Sequence, residues 1–247
     1  MKPDVLAVIP ARMESSRFPG KPLAKIGGKS ILELLYRELT RAKKIDRVVV
    51  ASDSNEIIEA VEQFGGETIR TSKKHKTGSD RVSEVASKLG GNIIINIQAD
   101  NLGIKAREFD RVISAMANDR KIKYATFIQK IEFEDYLDDP NRVKVIGGAD
   151  NYARWFSRNP LPYLQGKNDK RLQNFDYFYH IGIYFFRKKA LENFKRWKRT
   201  PFEKAESLEQ LRILENEQKI KLFKTTSRIY SVDTPEDLAR LKNITIK

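Results

Sequence analysis

The 247-residue chain carries 47 Lys and Arg against 33 Asp and Glu, a formal charge of +14, with 40% hydrophobic residues and no cysteine. That composition allows a buried core in one large domain, or a domain with a lobe, and excludes a disulfide framework and thiol chemistry. No apolar run approaches the roughly 18 residues of a membrane span, and the surplus of cations suits a polyanionic partner such as nucleic acid, an acidic membrane face or a phosphorylated substrate.

Residues 4–11, DVLAVIPA, form a continuous apolar run, the pattern of a strand covered on both faces. A loop, IPARMESSRFPGKPL (9–23), follows. SILELLYRELTRAKK (30–44) puts Ile31, Leu34, Leu35 and Leu39 on one stripe and opens with Ser30 and Glu33 at capping-box spacing, which predicts a helix. DRVVVAS (46–52) reads as a strand, SNEIIEAVEQFGG (54–66) as a helix stopped by glycines, and ETIRT (67–71) as a short strand. Residues 78–89 read as a helix and NIIINIQAD (92–100) as a fourth apolar strand. This alternation predicts an α/β fold with a parallel sheet in three layers and right-handed crossovers. From 123 onward the strands crowd together (KYATFIQKI, RVKVIGG, YARWFSR, YFYHIGIYFFRK), which predicts an antiparallel lobe added to the sheet. PFEKAESLEQLRILENEQ (201–218) reads as one helical span, followed by a strand KIKLFKT, a short strand-like IYSV and a closing helix at 234–243. With no linker or repeat, one domain is expected, divided at about 120 and about 230 into an N-terminal half, a lobe and a closing segment. With no thiol and no leader-like N-terminus, a cytoplasmic setting is expected.

In open parallel sheets ligands bind beyond the carboxyl ends of the strands, and the loop after the first strand is the usual phosphate site. Arg12, Arg17 and Lys21 sit in that loop. Gly20 allows close backbone approach, Pro19 and Pro22 stiffen the loop, and the guanidinium and ammonium groups suit a triphosphate. FPGKP is not a Walker A loop, since the first glycine is missing and Pro22 follows the lysine. A solvated basic loop is the competing reading. Asp100 closes the fourth apolar strand, where a carboxylate faces the ligand crevice, and Asp233 stands before the last helix, where it also fits a plain N-cap. Two carboxylates with substrate phosphates make a set of oxygen ligands that magnesium prefers. His180 alone reads as a packed strand histidine or, alternatively, as a metal or sugar contact.

IPARMESSRFPGKPL, TGSDR (77–81), QAD (98–100), HIGIY (180–184), LEQLR (208–212) and VDTPEDL (232–238) resemble, in order, the motifs of the 3-deoxy-manno-octulosonate (Kdo) cytidylyltransferase, or CMP-Kdo synthetase, family. The resemblance runs from about residue 5 to about 242. It implies a Rossmann-like nucleotidyltransferase fold and a homodimer that makes CMP-Kdo and pyrophosphate from CTP and Kdo with Mg2+, for lipopolysaccharide or capsule synthesis. The three segments then become a nucleotide-binding half, a sugar-binding and dimerisation lobe, and a closing segment with a metal ligand. By position, the resemblance implies that Arg12 and Lys21 hold the CTP phosphates with Ser15, Ser16 and Arg17. It also places Ala11 and Arg12 near the cytosine and Arg81 along the nucleotide site. It makes Asp100 and Asp233 the magnesium ligands and, with Arg12 and Lys21, the catalytic set. Gln98, Arg158, His180, Tyr184, Glu209 and Gln210 are implied to line the sugar pocket.

One stretch departs from the family pattern. The usual Gln-Gly-Asp-Glu-Pro is here Gln98-Ala99-Asp100-Asn101-Leu102, beside the expected sugar site. A modified acceptor, such as an 8-amino form of Kdo or another 2-keto acid sugar, is therefore an alternative to Kdo itself. The reaction expected is in-line attack of the anomeric hydroxyl on the α-phosphorus, with no residue standing out as a general base. Two other classes compete. A nucleic-acid-binding protein would use the basic runs RTSKKHK (70–76) and KRWKR (195–199) with Trp197 for stacking, although the cations are dispersed and no RNP, zinc or helix-turn-helix signature is present. A UTP- or GTP-dependent sugar-phosphate pyrophosphorylase would carry a glycine-rich first loop, which IPARMESS is not.

Overall fold

The computed structural model describes residues 4–14, 18–99, 101–166, 170–232 and 234–242. The chain enters through β1 (Val5–Pro10), buried along its length. A 3-10 turn (Lys21–Leu23) and the hairpin β2 (Lys25–Ile26) and β3 (Lys29–Ser30) lead into α1 (Ile31–Thr40). Ser30 Oγ accepts the Glu33 N–H at 3.0 Å, but the Glu33 carboxylate takes Arg37 at 2.8 Å, so only half of the expected capping box forms. Then come β4 (Arg47–Ser52), α2 (Asn55–Gln63), β5 (Thr68–Arg70), α3 (Gly78–Leu89) and β6 (Ile93–Ile97). Strands β6, β1, β4 and β5 lie side by side in that order, each pair parallel, as the alternating pattern predicts.

Alternate residues of these strands enter different cores. Val5, Ala7 and Ile9 of β1 join one apolar cluster with Ile93, Ile95 and Ile97, while Leu6 and Val8 join another with Val49 and Ile94. Both faces of the sheet are therefore covered, which makes the three layers.

The second half begins with β7 (Asn101–Leu102) and α4 (Ala106–Asn118), a helix the sequence reading passed over although Phe109, Val112, Ile113 and Met116 are buried at helical spacing. It continues through β8 (Tyr124–Lys130), α5 (Glu134–Asp138), β9 (Lys144–Gly147), β10 (Ala153–Ser157), α6 (Arg171–Asn174) and β11 (Phe178–Arg187). After them come α7 (Lys188–Arg196), α8 (Pro201–Glu206), α9 (Glu209–Glu215), β12 (Ile220–Lys224), β13 (Tyr230–Ser231) and α10 (Pro235–Lys242). Strand β11 runs antiparallel to β6, β8 and β9, and β9 to β10, so the antiparallel strands extend the same nine-stranded sheet. A small cluster of Ile131, Leu137 and Tyr177 packs the lobe segment.

The helical span expected over 201–218 is two helices. Ser207 sits at φ 53, in the left-handed region, and ends α8 before α9 starts at Glu209. The buried Arg212–Glu203 ion pair, with Nε to Oε2 at 2.7 Å, clamps the two helices across the break. Glu209 and Gln210 therefore open a new helix.

Candidate active site

A cavity of about 830 Å³ opens beyond the carboxyl ends of β1 and β6. On one side stand Arg12, Lys76, Thr77 and Gly78. Arg12 leaves β1 and donates from Nη2 to the Lys76 carbonyl at 3.5 Å. Thr77 caps α3 in a reciprocal box with Asp80, with N–H to Oδ2 at 3.1 Å and back to Oγ1 at 3.2 Å, which brings the helix N-terminus to the cavity. The first loop folds back on itself, with the Gly20 N–H bonded to the Met13 carbonyl at 2.9 Å. Gly20 is needed there for its left-handed φ of 73, since a Cβ would meet only Met13 Cε, at 3.7 Å.

The opposite wall depends on a bulge. The pairing of β11 with β8 slips between Ile181 and Tyr184, so His180 and Tyr184, which on an unbroken strand would stand about 13 Å apart, come together with ring centroids at 5.1 Å. Thr126 Oγ1 donates to the Ile183 carbonyl at 2.7 Å, so at 2.9 Å it accepts from His180 Nε2–H and leaves Nδ1 as an acceptor. Desolvation pushes the His180 imidazole down to about 3 and the Tyr184 phenol well above its ordinary value, so both are neutral near pH 7.

Tyr184 donates to Gln210 Oε1 at 2.9 Å. A chain of hydrogen bonds ties the two walls together: Gln98 to Asn96 at 3.3 Å, Asn96 to Ser79 at 3.1 Å, and Ser79 to Glu209 Oε2 at 2.6 Å. The other ends of two side chains, Glu209 Oε1 and Gln210 Nε2, are buried without a partner. Arg158 is held by the carbonyls of Glu206 at 2.8 Å and Pro140 at 2.9 Å.

Arg12, Gln98, Arg158, His180, Tyr184, Glu209 and Gln210 all line this one cavity. Among the described residues, Ala11, Lys21 and Arg81 do not line it. The Ala11 N–H is bonded to the Ala51 carbonyl at 2.9 Å, and Lys21 lies half-buried on the 3-10 turn. Arg81 is buried, paired with Asp53 at 3.2 Å and hydrogen-bonded to Thr71. Ser15, Ser16, Arg17, Asp100 and Asp233 lie outside the described residues. The backbone beside the two aspartates is paired nonetheless, Ser231 opposite Asn101 in an antiparallel bridge of β13 with β7. The α10 cap is Thr234, whose N–H donates to Asp237 Oδ2 at 3.0 Å and whose Oγ1 accepts the Asp237 N–H at 3.3 Å. The capping role considered for Asp233 therefore belongs to its neighbour. Among the described residues no group of three or more His, Cys, Asp or Glu forms a metal site.

The sequence reading missed Lys76, Arg142 and Arg199 as cavity residues. Arg142 lies over the Tyr136 ring at 3.7 Å, and Arg199 pairs with Glu203 at 3.2 Å. In a chain this basic, no local signal separates them from surface cations.

Residues 6–220 match a family model described as cytidylyltransferase. The 3-deoxy-manno-octulosonate cytidylyltransferase of Geobacter sulfurreducens is 40% identical over 96% of this chain and 98% of its own length, and that of Thermodesulfovibrio yellowstonii is 42% identical over 94% of each. The chain belongs to this cytidylyltransferase family. A solved structure of CMP:2-keto-3-deoxy-manno-octonic acid synthetase in complex with CTP superposes with a TM-score of 0.89 at 34% identity, covering 97% of both chains. A 4-diphosphocytidyl-2C-methyl-D-erythritol synthase from Anaerococcus prevotii, at 18% identity and a TM-score of 0.62, shares the fold alone. The family's Rossmann-like nucleotidyltransferase architecture is thus the one described above.

Proposed function

We propose that the chain transfers the cytidylyl group of CTP to 3-deoxy-manno-octulosonate. The anomeric oxygen forms a bond to the α-phosphorus, the bond from that phosphorus to the bridging oxygen breaks, and pyrophosphate leaves while the hydroxyl proton passes to solvent. The observation that carries the sugar half is the pair of unsatisfied atoms on consecutive residues: Glu209 Oε1 is an acceptor and Gln210 Nε2 a donor. A buried polar atom without a partner costs about 1–3 kcal/mol. A sugar hydroxyl both donates and accepts, so entry of a polyol into this wall relieves both. His180, neutral with a free Nδ1 lone pair, and Tyr184, a neutral phenol, add polarity without charge.

On the other side, Arg12 and Lys76 supply positive charge for a triphosphate. Asp100 and Asp233 are hard oxygen donors whose flanking strands are hydrogen-bonded to each other beside the cavity, a donor set that fits Mg2+. Magnesium held there would neutralise phosphate charge as pyrophosphate departs. With the His180 imidazole too acidic to take a proton near neutral pH, proton removal is left to solvent or to metal-lowered acidity of the hydroxyl.

The reading includes a cytoplasmic homodimer. Supporting the second copy, Phe133, Tyr136 and Phe175 expose apolar surface on the lobe segment. The test is pyrophosphate release with each of four nucleoside triphosphates and a panel of keto sugars that includes Kdo and its 8-amino form. Turnover with CTP alone is expected, and the preferred sugar gives the meaning of Asn101. Preference for UTP or GTP, or no turnover with any keto sugar, would contradict the proposal.

A further inference from the structure

Two glycines on the cavity wall flank one side chain. A Cβ added at Gly78 would stand 3.0 Å from Gln98 Nε2 and 3.2 Å from Pro10 Cγ, so the packing of Gln98 and Pro10 disfavours a side chain there. Gly182 differs. A Cβ there would meet only Asn101 Nδ2 at 3.4 Å and Gln98 Cγ at 3.6 Å, both ordinary contacts, and its φ lies outside the left-handed region. Neither backbone conformation nor neighbouring atoms demand a glycine in the middle of β11. A glycine within a strand weakens it and often marks close approach of a ligand. Gly182 lines the cavity with Gln98, Asn101, His180 and Tyr184 around it, inside the bulge that brings the two rings together.

We infer that Gly182 is a specificity-determining residue for the acceptor: the missing side chain leaves a notch between the amides of Gln98 and Asn101, and the acceptor sugar packs directly on the Gly182 backbone. The inference rests on the proposed sugar-activating function and names the wall that reads the sugar. The two amides are neutral and offer both donors and acceptors, so the notch accepts a hydroxyl-bearing carbon and its depth limits what that carbon carries. The nucleotide side of the cavity, from Arg12 to Gly78, lies across the Gln98 side chain from the notch.

Gly182→Ala and Gly182→Val test this, because both raise strand propensity while adding one or three carbons to the notch. The KM for Kdo is expected to rise about 10-fold or more in the alanine variant, the scale of one methylene in a shaped pocket, and further in the valine variant. The KM for CTP should stay within about 2-fold, well short of that methylene effect, with the melting temperature unchanged or higher. An unchanged sugar KM in both variants, a CTP KM that rises in step with it, or an alanine variant that does not fold would each overturn the role of Gly182. Wild-type turnover measured alongside separates the two levels: if the wild type fails to use CTP and Kdo, the proposed function falls, whereas normal wild-type turnover with indifferent variants removes only Gly182.

Discussion

The two walls of the cavity are built by different means. Arg12 and Gln98 follow the ends of regular parallel strands, and Thr77 and Gly78 the start of a well-capped helix, so their positions follow from the sheet. His180, Tyr184, Glu209 and Gln210 depend on two interruptions, the bulge in β11 and the left-handed Ser207 between α8 and α9. Regular structure presents Arg12, Thr77, Gly78 and Gln98, and departures from it shape the wall of His180, Tyr184, Glu209 and Gln210. On the proposed function, changes at the interruptions should act on sugar binding and local stability, whereas a change at Arg12 should act on the nucleotide.

The largest effect is expected at the proposed metal site. Asp100→Asn should lower turnover by more than about 1000-fold through loss of the proposed magnesium-binding carboxylate and leave the melting temperature nearly unchanged. Near-normal turnover would remove Asp100 from the chemistry. Next is the clamp across the α8–α9 break: Arg212→Met takes the buried partner from Glu203, which keeps only Arg199 as a charged partner, and should cost about 2 kcal/mol in urea unfolding. A loss below about 1 kcal/mol, the worth of an exposed pair, would mean that the pair does not hold the break.

His180 gives a smaller, pH-dependent signal. Its imidazole titrates near 3 in the folded chain and near 6.5 when unfolded, so between those values the unfolded chain binds a proton the folded chain does not. This contribution to stability is fully present above 6.5 and is lost as pH falls toward 3. His180→Gln should narrow the difference in melting temperature between pH 7 and pH 4, and an unchanged difference would contradict the desolvated, neutral imidazole. The smallest effect belongs to Ser207→Gly, which relieves a left-handed non-glycine residue and should stabilise by up to about 1 kcal/mol. Destabilisation would show that Ser207 holds the turn by more than its backbone.

The same contrast accounts for what the sequence discloses. The parallel strands are legible because residues buried on both faces read as unbroken apolar runs, and Ser30, Ser54 and Thr77 mark helix starts that the structure confirms as caps. The break after α8 is hidden because Ser207 is neither glycine nor proline and the residues around it favour helix. The bulge is equally silent, since the spacing of His180 and Tyr184 describes two side chains far apart along one strand face. Motif resemblance points to those residues, and the bulge explains why they meet. The start of α10 is likewise hidden, because Asp233 and Thr234 both fit a cap in sequence, whereas Thr234 and Asp237 complete the capping box between them.

The division of labour between the walls is tested most directly by measuring both Michaelis constants in two variants, Arg12→Ala and Tyr184→Phe. The account predicts that Arg12→Ala raises the KM for CTP about 10-fold or more, as loss of a charge-assisted contact of about 1.5–3 kcal/mol would, and spares the sugar. Tyr184→Phe, which removes the bond to Gln210, should raise the KM for the sugar and spare CTP. Two variants that shift the same constant would contradict it.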